Sequence, residues 1–81
     1  DGVVDIGAGT LIRPFVTIGL IEGNYQGPVI GKHVRIGTGA KILGPVTIGG
    51  GAQIGANAVV IKDVPAGATV VGIPGRLAAP D

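Results

Sequence analysis

The chain has 81 residues, among them 17 Gly, 6 Pro, no Cys, no Met, no Trp, one Phe and one Tyr, with 46% apolar and 14% charged residues. That is too apolar for a disordered chain, and it leaves room for one small domain, residues 1–81, with a thin core. Absent Cys excludes disulfides and thiolate metal sites, and a net charge of +1 gives no footprint for nucleic acid or a membrane surface.

The chain opens on Asp1-Gly2-Val3-Val4-Asp5-Ile6-Gly7, without a basic leader, an apolar leader core or Met. No apolar run approaches a membrane span; Ala58–Ile61, the longest, has four residues. These features predict a cytoplasmic protein with no membrane segment, and the start within a repeat predicts a truncated or engineered piece. A core this small needs a staple, and with disulfides excluded, self-association is the remedy expected.

From Ile6 onward the chain has a period. Positions 6, 12, 18, 30, 36, 42, 48 and 54 are Ile, and only Asn24 and Val60 break the series to 60. Eleven Ile spread at random would fill one or two of those ten slots. Gly follows at Gly7, Gly19, Gly31, Gly37, Gly49 and Gly55, and a small or β-branched residue stands two before most of the slots. Six is neither a helical nor a simple strand period. It suits short strands and tight turns wound into a parallel β-helix, each coil burying its neighbour.

Three hexapeptides make an 18-residue triangular coil, so the expected stacks are Ile12, Ile30, Ile48, then Ile18, Ile36, Ile54, then Ile6, Asn24, Ile42, Val60. The hexapeptide coils are placed at 4–61, with an irregular stretch at 20–29 where Asn24 takes an Ile slot. That stretch reads as a short external loop or as a loop bordering a cleft between subunits. Residues 62–81 are expected to cap the open edge.

The motifs Val16–Gly19 (VTIG), Gly27–Gly49 and, above all, Ile54–Arg76 (IGANAVVIKDVPAGATVVGIPGR) resemble the hexapeptide-repeat acyltransferase superfamily, closest to serine O-acetyltransferase-like proteins. The resemblance implies an all-β, single-stranded, left-handed parallel β-helix of just under four coils. It implies a homotrimer that takes acetyl-CoA as co-substrate in a groove between two prisms, with no metal. It places Gly19 and Leu20 beside the thioester arm, Thr38 and Ala56 against the pantetheine, and Lys62 and Arg76 near the phosphates.

No catalytic residue is identifiable. Gly27 stands where the family has a His general base before Pro28, and the family's upstream Asp-His pair would precede Asp1. His33, the chain's one histidine, reads as a solvent-facing corner residue. Two functions are therefore expected: the C-terminal β-helix portion of a CoA-dependent acetyltransferase lacking its base, or a non-enzymatic trimeric scaffold, whether truncated, engineered or degenerate.

Overall fold

A computed structural model describes residues 3–19 and 26–78, and every regular element within them is a strand. In chain order these are β1 (Val3–Ile6), β2 (Leu11–Ile12), β3 (Thr17–Gly19), β4 (Gln26–Ile30), β5 (Arg35–Ile36), β6 (Lys41–Leu43), β7 (Thr47–Ile48), β8 (Gln53–Ile54), β9 (Val59–Val60), β10 (Thr69–Val71) and β11 (Arg76–Leu77). β-branched residues fill most of them, as suits strands whose one face packs on a core. Successive strands join different sheets, so the chain winds as a three-faced prism. Face A is β1-β4-β7, face B is β2-β5-β8-β10-β11 and face C is β3-β6-β9. All pairings are parallel except β10 with β11.

Ile at each slot points inward. Ile30, Ile36, Ile42, Ile48, Ile54 and Val60 are buried, together with the smaller Val34, Ala40, Val46, Ala52 and Ala58. Burial of such a side chain contributes about 1.5–3 kcal/mol. The Gly after Ile answers to the stacking itself: a Cβ on Gly37 would stand 2.6 Å from the backbone nitrogen of Ala56 in the next coil. A larger residue there would push the coils apart.

The stacking order differs from the expected one. Ile6 pairs with Ile30, Ile12 with Ile36, and Ile18 with Ile42. The first coil is therefore 24 residues long, as Leu11 opposite Arg35 shows, and only the second, with Arg35 opposite Gln53, has 18. The first coil is thus one hexapeptide longer than the second. Residues 20–25, with Leu20 and Asn24, lie outside the described residues. The correct stacks are Ile6, Ile30, Ile48; Ile12, Ile36, Ile54; and Ile18, Ile42, Val60.

The rest of the irregular stretch, 26–29, belongs to β4. Val3 faces Gln26 while Asp5 faces Val29, so β4 carries one extra residue, a bulge at Gly27-Pro28. Pro28, which has no N–H for a ladder, is accommodated at that bulge and is buried.

The third coil loses two residues. Ile48 bridges Val64 and Ile54 pairs with Val70, each 16 residues on, so the stack continues beyond residue 61. Val64 and Val70 are buried core residues, not cap. Closure belongs to β11, which turns back antiparallel on β10, and Ala78 N–H bonds the Thr69 carbonyl at 2.8 Å. At the opposite end the first coil is open: Ile6 is 47% and Ile12 38% exposed.

Candidate functional site

Two of the prism's three edges are continuous ladders. Between faces A and B, His33 N–H bonds the Ala8 carbonyl, Gly51 N–H that of Lys32, and Gly67 N–H that of Gly50, at 2.9–3.0 Å. Between faces B and C, Gly39 N–H bonds the Pro14 carbonyl at 3.1 Å and Asn57 N–H that of Thr38 at 2.9 Å. The second ladder stacks Pro14, Thr38 and Ala56, successive rungs being about 4.8 Å apart. Thr38 and Ala56 are both exposed, so the structure brings them together as a small-residue track along one edge.

That track ends beside a hollow. Face C has three strands where faces A and B reach a fourth level, and the space at that level is bordered by Lys62 on one side and by the Gly72–Arg76 turn, which covers Val59, on the other. Val59 joins the two parts: its N–H bonds the Gly72 carbonyl at 3.0 Å and its carbonyl accepts from Gly75 N–H at 2.5 Å. The hollow measures about 500 Å³ and is lined by Lys62, Ile73, Pro74 and Arg76 among others. Lys62 and Arg76 also share the adjoining depression of about 310 Å³ over Val60, Val64 and Val70, the last inward residues of the three faces. Two cations so placed, at the end of an edge of small residues, suit a long flexible ligand carrying phosphates.

Gly19 is elsewhere. It ends β3 at the far margin of face C, opposite Leu43, whose Cδ2 would stand 3.8 Å from a Cβ at position 19. Within one prism it does not join the Thr38–Ala56 track, because face C lies between them. The Leu20 expectation lies outside the described residues. His33 is exposed on the edge between faces A and B, a different edge from the track, and is held at φ 58°. Gly27 and Pro28 are buried in the β4 bulge. Among the described residues no group of three His, Cys, Asp or Glu comes together. Sequence reading passed over Arg13 and Arg35, which share a trough on face B; only the 24-residue coil makes them neighbours.

Residues 27–62 match the family model described as bacterial transferase hexapeptide (six repeats). A serine acetyltransferase of Mycobacterium tuberculosis is 47% identical over 75 residues, covering 90% of this chain and 33% of that protein. A solved serine acetyltransferase in complex with cysteine superposes with a TM-score of 0.82 at 38% identity, over 96% of this chain and 35% of the other. A Brucella abortus serine acetyltransferase in complex with coenzyme A gives a TM-score of 0.79 at 30% identity, over 91% of this chain and 38% of the other. Repeat, fold and relatives agree: residues 27–62 carry the hexapeptide repeat of that family model, and the prism is a left-handed parallel β-helix similar to that of serine acetyltransferases. It spans about a third of the length of the relatives it matches, and serine acetyltransferases are the relatives its β-helix resembles.

Proposed function

We propose that the chain is the β-helix portion of a serine acetyltransferase-like, CoA-dependent acetyltransferase, acting as a homotrimer with acetyl-CoA between two prisms. The observation that carries this reading is the track of Thr38 and Ala56 leading to the hollow shared by Lys62 and Arg76. Acetyl-CoA supplies the acetyl group as an activated thioester. Small exposed side chains at 38 and 56 let its arm approach the backbone, while the two cations offset its phosphate charge. Gly19 belongs to the other margin of face C. It reaches the same ligand only if a neighbouring prism presents its own margin to this track, which supports a side-by-side assembly.

Transfer also needs a base within about 2.6–3.2 Å of the acceptor hydroxyl. Gly27 offers no side chain, and His33 faces out from another edge. The reading therefore assigns the base to no residue of this chain. Titrating CoA by calorimetry and following thiol release from acetyl-CoA with serine tests it. CoA binding with thiol release at the background rate is expected, and no heat at millimolar CoA would overturn it. The buried Gly27-Pro28 bulge favours the second reading, a trimeric scaffold without chemistry, which a stable trimer indifferent to CoA would support.

A further inference from the structure

Face B carries a trough of about 240 Å³ that shares no lining residue with the Lys62–Arg76 hollow. Register builds it from two columns of outward positions. One runs Leu11, Arg35, Gln53, Thr69; the next runs Arg13, Gly37, Gly55. The two glycines put bare backbone on the floor, while Arg13 and Arg35 stand as diagonal neighbours, close enough for long side chains to meet over one ligand. Gln53 and Thr69 add an amide and a hydroxyl above them, and Leu11 makes the lower rim. Among the described residues no carboxylate lines the trough.

The floor itself has no donors to give. Gly37 N–H bonds the Ile54 carbonyl and Gly55 N–H the Val70 carbonyl, both at 2.8 Å. Any anion held here is held by the guanidiniums, whose forked donors match carboxylate and phosphate oxygens. We propose that this trough is an oxyanion subsite, seating the phosphate or carboxylate of a small ligand between Arg13 and Arg35. Gly37 and Gly55 directly precede Thr38 and Ala56, so the occupant lies beside the small-residue track. The proposal stands independently of acetyl transfer.

The test is amide-shift NMR of the ¹⁵N-labelled protein titrated at low salt with inorganic phosphate and, separately, with succinate. Saturable shifts at Gly37, Gly55 and Thr69 are expected for at least one anion. Phosphate alone would mark a phosphate-ester ligand, succinate alone a carboxylate, and both a site open to either. Arg35→Gln or Arg13→Gln should weaken binding about tenfold, from loss of one charge-assisted bond, and the double variant should abolish it. Arg35→Lys should retain part of the affinity. Spectral dispersion reports that each variant is folded. No saturation with either anion, shifts centred on Lys62 and Arg76, or saturation persisting in the double variant would overturn the proposal.

Discussion

His33 lies over Gly9: a Cβ on residue 9 would run into the His33 imidazole at Nδ1 and Cε1. The two share the left-handed turn position of successive coils, Gly9 at φ +76° and His33 at φ 58°, and the same pattern sets Asn57 over Gly39 on the next edge. A large residue above a glycine fills the corner once. Gly9→Ala is therefore expected to destabilise by about 1–3 kcal/mol, combining backbone strain with the clash. Adding His33→Gly should recover the clash and leave the strain. Chemical denaturation of both singles and the double measures the coupling, and strict additivity would show that the imidazole does not sit there.

Phe15 occupies the same kind of turn at φ 64°, yet it is 86% exposed. It bears the cost of the left-handed region with little burial in return. Phe15→Gly should stabilise the isolated prism by about 1 kcal/mol, read as a higher melting temperature. A loss of stability would mean that Phe15 packs against another subunit.

Ile36 is 1% exposed between Ile12 and Ile54, whereas Ile12 borders the open end. Ile36→Ala should cost about 2–5 kcal/mol from lost burial and cavity, and Ile12→Ala about 1. Equal losses would show that another surface covers the Ile12 end.

Deleting residues 20–25 should leave the prism folded, since it converts the 24-residue coil into one of 18 without altering which residues face inward. The expected outcome is an unchanged β-type circular dichroism spectrum and a melting temperature within a few degrees, loop length being a weak determinant of stability. Collapse of the fold would show that this segment holds the first coil.

Arg76→Ala and Lys62→Ala should each weaken CoA binding about tenfold, and Ala56→Trp should obstruct it without unfolding the prism. Calorimetry measures the first two effects and thermal melting controls for the third. By light scattering the wild type should run as a trimer of the 7.9 kDa chain; a stable monomer would remove the intersubunit groove.

The inward set was legible because every Ile slot from 30 to 54 keeps one phase of six, and a buried stack demands that. The stacking partners were not. Six additional residues leave the phase untouched, so Ile30 looks the same whether it lies over Ile12 or over Ile6. Val64 and Val70 escaped for the opposite reason: two missing residues shift the phase just as the chain still continues the stack. At the site, Lys62 and Arg76 line one hollow, because the turn at Gly72–Gly75 folds over Val59. Gly19 and Thr38, both Ile-phase neighbours in sequence, lie on opposite margins of face C, which a linear repeat does not reveal.

Both changes in coil length, the six residues gained after Gly19 and the two lost between Val60 and Val64, fall on the edge joining faces C and A, as does the bend at Gly44-Pro45. Asp63 helps close the shortened turn there, its carboxylate accepting the Thr47 N–H at 2.8 Å. The molecule thus confines its editing to a single seam while its other two edges keep count from bottom to top. New segments can be spliced into that seam without renegotiating the interior, by rewriting one vertex of a triangle whose other two are copied unchanged.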